Sequence, residues 1–449
     1  MQPQAPSPTA ALSTWLNYLE ALHPTTIELG LDRVNQVAER LHLRHFEVPV
    51  ITVAGTNGKG STVRMLEVIL QQAGYQTFVY VSPHLYRYNE RVRVNQQELD
   101  DAAHVAALAA IEAARGDTSL TYFEFGTLAA LWLAQHGYVH DTLSKPDVLI
   151  LEVGLGGRLD AVNTVAADIA IITSIGLDHT AWLGDTKAAI SQEKAGIFRA
   201  HRVAISGEPE PPSTIAATAQ ALGAKLQQVT EDYDYQVAGD SWSFQHPLLT
   251  LTQLPVPQLP LANAATALAA IANLAQLAKP LHVSPTHIET GLREARLAGR
   301  LQLLPGQPDT LLDVAHNPHA AAFLRETVRQ RYPERPIYAV VGMLHDKDIK
   351  ATLAELSGAV EAWFCVDLQQ PRGASAAHLQ AALPSNALSS AHDSVATAYR
   401  NAVQQAQQQS QGRAPIVLIF GSFYTVGSLA VDELRTIQQQ AAQQPVIDG

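Results

Sequence analysis

Residues 50–62 read Val50-Ile51-Thr52-Val53-Ala54-Gly55-Thr56-Asn57-Gly58-Lys59-Gly60-Ser61-Thr62, an apolar run that breaks into a glycine-rich turn. A helical pattern follows at once, with Val63, Leu66, Val68, Ile69 and Leu70 apolar. A buried strand that turns through glycines into a helix aims successive backbone N–H groups into one concavity, where the helix dipole and a lysine favour phosphate. The order departs from the strict G-x-x-x-x-G-K-[ST] form, because Val53 stands five residues before Gly58 and Gly60 follows Lys59. On its own the stretch predicts a βα unit with a phosphate-binding loop, and a glycine-rich turn without a ligand is the competing reading.

Length sets the frame around that unit. At 449 residues the chain exceeds one ordinary core, so two domains are expected. Hydrophobic residues make up 47% and charged residues 16%, the balance of a packed soluble protein rather than a disordered one. A formal charge of −12 argues against a general nucleic-acid surface, which needs clustered Lys and Arg, but leaves room for a small anionic substrate met by local cations. The single cysteine, Cys365, has no internal partner for a disulfide, which favours a reducing cytoplasm. The start, Met1-Gln2-Pro3-Gln4-Ala5-Pro6, lacks the basic and apolar regions of a signal peptide, and no apolar run is long enough for a membrane span.

Apolar, β-rich runs at residues 50–54, 77–81, 147–151 and 168–175 alternate with Ala- and Leu-rich helical stretches such as 101–114 and 125–135. That alternation predicts an α/β fold with a mainly parallel sheet. A Pro-rich middle, 209–261, holds shorter strand-like pieces at 233–237 and 248–251, and an Ala-rich helix over 263–277 closes the first domain. A second series of strands, at 310–314, 337–341, 362–366 and 416–420, predicts a smaller Rossmann-like α/β domain, with residues 1–297 and 298–449 as the two domains. The Gln-rich segments 404–411 and 438–444 read as solvated surface or tail.

Ligands of open parallel sheets bind beyond the carboxyl ends of the strands. Besides the loop, those ends offer Ser82-Pro83-His84, then Glu152 before Val153-Gly154-Leu155-Gly156-Gly157-Arg158, then Leu177-Asp178-His179. A carboxylate at the end of a buried strand beside a phosphate loop is the arrangement that sets Mg²⁺ against nucleotide phosphates. Taken singly, Ser82 reads as a turn residue, His179 as a hydrogen-bonded histidine and Lys194 as an exposed helix lysine; imidazole is an unusual ligand for a hard ion. In the second domain Asp313-Val314-Ala315-His316-Asn317-Pro318 repeats the polar strand end, and Arg300 at the boundary is a candidate phosphate ligand.

The ordered set Gly55-Thr-Asn-Gly-Lys-Gly, Ser82-Pro-His-Leu, Glu90-Arg-Val-Arg, Glu152-Val-Gly-Leu-Gly-Gly-Arg-Leu-Asp, Leu177-Asp-His-Thr, Glu193-Lys-Ala-Gly-Ile-Phe and Asp313-Val-Ala-His-Asn-Pro resembles the bacterial dihydrofolate synthase/folylpolyglutamate synthase family. That family belongs to the Mur-type ATP-dependent amide ligases, and the likeness runs over essentially the whole chain. It implies an N-terminal P-loop ATPase-like domain and a Rossmann-like ligase domain. It implies that Thr56, Asn57, Gly58, Lys59, Gly60 and Ser61 hold ATP phosphates, with Asn263, Arg300 and Asp313 also on ATP. Ser82, Glu152 and His179 would ligate one or two Mg²⁺ ions, and Lys194 would be carbamylated to support a second metal. Dihydropteroate would lie against Glu28, Leu29, Gly30, Thr121, Tyr122, Phe123, Glu124, Leu159, Asp160 and Ala161. Lys59, Lys194 and His316 are the catalytic candidates, and Lys347 falls in a family motif without a definite role.

The activity so implied is a monomeric, cytoplasmic ligase that joins L-glutamate to dihydropteroate and further glutamates to reduced folates. With about 50 residues ahead of Gly55, a nucleotide-sugar domain of the cell-wall ligases has no room at the usual domain size. A monofunctional folylpolyglutamate synthase and a nucleotide-binding regulatory protein are the alternatives; the full set Ser82, Glu152, His179 and Lys194 disfavours the second.

Overall fold

A computed structural model describes residues 4–25, 27–137, 145–409 and 413–442. The chain separates into two compact units, Met1–Ala295 and Arg296–Gly449. In the first, β1 (Val50–Ala54), β2 (Thr77–Tyr80), β3 (Val92–Val94), β4 (Gln97–Glu98), β5 (Val148–Glu152), β6 (Ile169–Ile172), β7 (Val203–Ser206) and β8 (Lys225–Gln228) form one sheet in the order β4-β3-β2-β5-β1-β6-β7-β8. The six strands from β2 to β8 along that order run parallel, and β3 and β4 add an antiparallel hairpin at one edge. Every residue of β1, β5 and β6 is buried, which is why these strands read as unbroken apolar runs rather than as alternating ones.

From β1 the chain crosses through helix Lys59–Gln72 to β2, two places away on one side, and it later lays β6 against the other side of β1. The strand order therefore reverses at β1. A crevice opens beyond the carboxyl end of a strand at such a point, so the turn after β1 holds the favoured ligand position of the sheet. Next along the chain, β9 (Asp234–Ala238), β10 (Ser241–His246) and β11 (Leu249–Pro255) make a separate three-stranded antiparallel sheet, with Trp242 and Phe244 buried.

In the second unit β12 (Gln302–Leu304), β13 (Asp309–Leu312), β14 (Ile337–Val341), β15 (Val360–Val366), β16 (Ser389–His392) and β17 (Ile416–Phe420) follow the order β12-β13-β17-β14-β15-β16. Only the β12–β13 pair is antiparallel. Its core collects Leu311, Val341, Trp363, Cys365, Leu418 and Phe420. Among the described residues no helix is long and apolar enough to cross a membrane.

The predicted α/β architecture holds, with three differences in detail. The strand expected over 168–175 stops at Ile172, because Thr173 and Ser174 turn their hydroxyls to the loop after β1. The strands β3, β4, β7, β8, β10, β12 and β16 and the helix Ser213–Leu222 went unpredicted; apart from β7, which is only four residues long, their burial is partial and their apolar pattern weak. Gln438 is not solvated: it is buried, and its Nε2 donates to the Pro308 carbonyl (2.9 Å) and to Thr310 Oγ1 (3.0 Å). Residues 410–411 and 443–444 of the Gln-rich segments lie outside the described residues.

Candidate active site

The turn after β1 is held from beneath by β6. Thr56 N–H donates to the Ser174 carbonyl (2.8 Å) and Asn57 N–H to Ser174 Oγ (3.1 Å), while Thr173 Oγ1 donates to the Asn57 carbonyl (2.6 Å). Two glycines are required by space as well as by conformation. A Cβ on Gly55 (φ 149°) would lie 1.9 Å from Thr173 Oγ1, and one on Gly58 (φ 89°) would lie 2.4 Å from Asn263 Oδ1. Asn263, ten or more strands and turns away in sequence, is thereby seated against the loop. Helix Lys59–Gln72 begins at Gly58 with no side chain capping it, which leaves its N-terminal dipole to an anion. Lys59 Nζ lies 3.0 Å from the Gly55 carbonyl, so its ammonium is drawn over the loop.

Lys194 differs from its sequence reading. It ends helix Lys187–Ala195 and is 4% exposed, not solvated. The glycine-rich segment after β5 explains the burial: a Cβ on Gly157 would lie 2.9 Å from the Lys194 carbonyl, Arg158 N–H donates to the Glu193 carbonyl (2.7 Å), and Arg158 Nη2 pairs with Glu193 (2.7 Å). Burial, and then the nearby Lys59 charge, push the Lys194 amine down to about 7, partly offset by Asp178 and Asp160. Lys59, Lys194, Asp160 and Asp178 thus share one electrostatic neighbourhood. Asp160 is itself pushed up to about 6 by burial, although Leu155 N–H (2.8 Å) and Val162 N–H (2.9 Å) donate to its carboxylate and Lys59 favours the charge.

Of the expected metal ligands, Glu152 closes β5 and is buried, and its Oε2 accepts from the Ser82 N–H (3.4 Å). A serine hydroxyl and a buried carboxylate are hard oxygen donors, and they fit a hard divalent cation. His179 is exposed and left-handed (φ 52°), at the start of the short helix Thr180–Leu183. Among the described residues no group of three or more His, Cys, Asp or Glu side chains is placed to hold a metal ion, so the fit rests on Ser82 and Glu152.

The residues expected to meet the pterin come from three segments. Gly30 N–H donates to the Leu159 carbonyl (3.3 Å). Arg33 joins the Glu28 carboxylate to Glu124 Oε1 (3.0 Å), and Glu124 and Thr121 form a reciprocal cap on helix Tyr122–His136. Phe123 packs on Gly154, where a Cβ would lie 2.5 Å from its Cζ, and Tyr122 faces the Arg91 guanidinium at 5.5 Å. Asp160 caps the turn Ala161–Thr164, and Leu29 lies in the same segment as Glu28. Arg33, Arg91, Thr173 and Ser174 were missed by the sequence reading. Thr173 and Ser174 fall inside the strand expected over 168–175, which hid them as candidate loop partners.

In the second unit Asp313 accepts from two backbone groups, Leu301 N–H to Oδ2 (2.9 Å) and Ala315 N–H to Oδ1 (2.9 Å). Burial raises its pKa above the ordinary aspartate value, against the opposing charge of Arg300. The Arg300 guanidinium lies over the Phe423 ring at 4.9 Å, and His316, whose Nδ1 is 2.8 Å from the Val314 carbonyl, has its ring 6.3 Å from the same phenyl. Gly60, Ser61 and Lys347 stand where the chain order puts them: two in the first turn of helix Lys59–Gln72, and Lys347 just before helix Ile349–Leu356.

Comparison with known proteins agrees with this layout. Residues 299–423 match the family described as Mur ligase, glutamate ligase domain. The dihydrofolate synthase/folylpolyglutamate synthase of Escherichia coli K12 is 51% identical over 424 residues, spanning 94% of this chain and 95% of that protein. A solved structure of E. coli FolC in complex with DHPP and ADP superposes with a TM-score of 0.89 at 49% identity, covering 97% of this chain and all of that one. A bifunctional folylpolyglutamate synthase/dihydrofolate synthase with Mn, AMPPNP and L-glutamate bound gives 0.85 at 49% identity, covering 95% and 98%. At 51% identity over nearly the whole of both chains, the protein belongs to the dihydrofolate synthase/folylpolyglutamate synthase family of Mur-type ligases.

Proposed function

We propose that this protein is an ATP- and divalent-metal-dependent ligase that joins L-glutamate to 7,8-dihydropteroate, forming dihydrofolate, and adds further glutamates to reduced folates. The observation that carries the reading is the uncapped, lysine-bearing loop at Gly58, whose Lys59 acts electrostatically on the buried Lys194 and Asp160. A carboxylate is a poor electrophile, so amide formation in water needs an activated acyl group. The γ-phosphoryl group of ATP passes to the substrate carboxylate, releasing ADP and leaving an acyl phosphate. The glutamate amine then attacks the acyl carbon, the C–O bond to phosphate breaks, and the amine proton is lost to a base or to solvent.

Both steps concentrate negative charge. The start of helix Lys59–Gln72 and the Lys59 ammonium are assigned to that charge, and Asn263 packs against Gly58 of the loop. Arg300 and Asp313 are assigned to the nucleotide, and His316 is retained as a catalytic candidate. Ser82, Glu152 and His179 are assigned to the metal; when bound, a divalent cation supplies electrostatic neutralisation of the phosphates. Lys194 is assigned as a carbamate: its neutral amine adds to carbon dioxide, forming an N–C bond and releasing one proton, and burial that brings the amine down to about 7 leaves a substantial neutral fraction at neutral pH. The segments around Glu28, Thr121 and Leu159 are assigned to the pterin. Residues 1–297 are the nucleotide- and pterin-binding domain and 298–449 the ligase domain, in a monomeric protein of the cytoplasm.

The test is ADP release measured with dihydropteroate, tetrahydrofolate and L-glutamate added singly and together. Release that needs a folate-type acid and glutamate together is expected with either acid. Full-rate release without glutamate would overturn the ligase reading, and turnover with tetrahydrofolate alone would reduce it to the monofunctional alternative.

A further inference from the structure

Glu67 lies about two turns beyond Lys59 on helix Lys59–Gln72 and is fully buried. A buried carboxylate is costly without partners. Glu67 has two: Arg93 reaches it through Nε (3.1 Å to Oε1) and Nη2 (2.8 Å to Oε2), and Arg64 Nη1 lies 2.9 Å from Oε2. Two guanidiniums against one carboxylate leave positive charge in excess in a nearly dry interior. The sheet register indicates where it acts. Arg93 on β3 pairs with Val79 on β2, and Val79 pairs with Ile150 on β5. Glu152 is two residues beyond Ile150, so Arg93 and Glu152 project from the same face of the sheet, the one from which Glu67 meets Arg93. Burial opposes the Arg93 charge, while Glu67 first and Glu152 after it favour it, and the net direction is upward.

The same arginine also braces the segment that starts at Ser82. Its Nη1 donates to the Glu90 carbonyl (3.3 Å), and the Glu90 carboxylate accepts from the N–H groups of Leu85, Tyr86 and Arg87 (2.7, 2.7 and 2.6 Å). One guanidinium therefore touches the phosphate-loop helix, the Ser82 segment and the field of Glu152.

We infer that Glu67 and Arg93 are positioning residues for the divalent ion: Glu67 holds the Arg93 fork back from Glu152, so that Arg93 orients Glu152 and the Ser82 segment without replacing the cation. The inference rests on the metal–nucleotide reading given above. With Glu67 neutralised, Arg93 is free to pair with Glu152 directly and to compete with the ion for its carboxylate.

The experiment is titration of Mn²⁺ into the protein with AMPPNP present, followed by electron paramagnetic resonance, well below the melting temperature of each variant. Glu67→Gln is expected to weaken Mn²⁺ binding by on the order of 10–100-fold, the usual range for outer-shell partners, and Glu67→Asp by less. Dihydropteroate affinity, read separately by calorimetry, is expected to stay at the wild-type value. A Glu67→Gln protein with wild-type Mn²⁺ affinity and only a lower melting temperature overturns the inference, because that is the signature of a structural ion pair. Where Glu67→Gln fails to fold, Arg93→Lys is titrated instead; it keeps the charge but loses the fork, so weaker Mn²⁺ binding supports the inference and an unchanged affinity overturns it. Wild-type protein that binds no Mn²⁺ with AMPPNP refutes the underlying metal–nucleotide reading, an outcome separate from either.

Discussion

The turns that follow β1 and β13 both lead a parallel strand into a helix, yet they treat their polar groups in opposite ways. After β1, glycines and the hydroxyls of Thr173 and Ser174 set the backbone, and helix Lys59–Gln72 starts with no side-chain cap and with Lys59 alongside. After β13, Asp313 takes two backbone N–H groups and Asn317 Oδ1 takes the Ala320 N–H (2.9 Å), capping helix Pro318–Arg331. The first helix starts without a side-chain cap, whereas the second is capped by its own asparagine. A polar residue at a strand end is thus not a ligand by position alone; the hydrogen-bond accounting around it decides.

The sharpest break of that contrast comes from the lysines of the first unit. Lys194→Ala is expected to reduce ligation to background while ATP, followed by calorimetry, still binds. Turnover at the wild-type rate would show the buried amine to be a packing residue. The pH sign follows from its pKa, lowered to about 7: the ammonium form, dominant below that pH, does not add to carbon dioxide, so wild-type activity recovered from bicarbonate-free buffer is expected to return more slowly at pH 6 than at pH 8. Lys59→Ala removes a cation placed over the loop, and kcat is expected to fall on the order of 10²–10³-fold, as for loss of one preorganised donor at a developing anion. A fall confined to the KM for ATP would make Lys59 a binding residue only.

Those two lysines also mark the limit of what the sequence discloses. Lys59 was legible because its neighbours are glycines between a strand and a helix, a local pattern with a direct physical meaning. Lys194 was not, because its burial depends on Gly157 and Arg158, over 30 positions away in the chain, packing on the Glu193–Lys194 backbone. The same distinction covers the fold. Fully buried strands such as β1, β14 and β17 were readable residue for residue as apolar runs, whereas the edge strand β3 owes its place to pairing with β2 and to the Glu67–Arg93 contact, and β4 to pairing with β3. The pterin segments were named through family likeness alone; Arg33, which joins Glu28 to Glu124, carries no local signature.

The second turn is tested by Asp313→Asn. An amide keeps the shape but turns one acceptor into a donor, so one buried backbone N–H, from Leu301 or Ala315, loses its partner. The expected cost is about 1–3 kcal/mol in the stability of the second unit, read by urea denaturation. An ATP KM that rises together with the stability loss supports the nucleotide role assigned to Asp313. A stability loss with an unchanged KM would restrict Asp313 to holding its own turn, and would deepen the contrast with the loop after β1.

The smallest effect separates strain from contact within helix Lys59–Gln72, which has a left-handed glycine just before its start and another just past its end. Gly58 (φ 89°) and Gly74 (φ 88°) have the same backbone requirement, but a Cβ at Gly74 meets nothing within 4 Å, whereas one at Gly58 meets Asn263 Oδ1 at 2.4 Å. Gly74→Ala is therefore expected to cost about 1–2 kcal/mol of stability from the left-handed backbone alone, with nucleotide affinity unchanged. Gly58→Ala carries the same strain and also displaces Asn263 from the loop, so its affinity for AMPPNP is expected to fall where that of Gly74→Ala does not. Equal nucleotide affinity in the two variants would mean that Asn263 merely fills space beside the loop. A loss confined to Gly58→Ala would instead make the close approach of Asn263 part of the phosphate site, in a turn whose shape is fixed from outside itself.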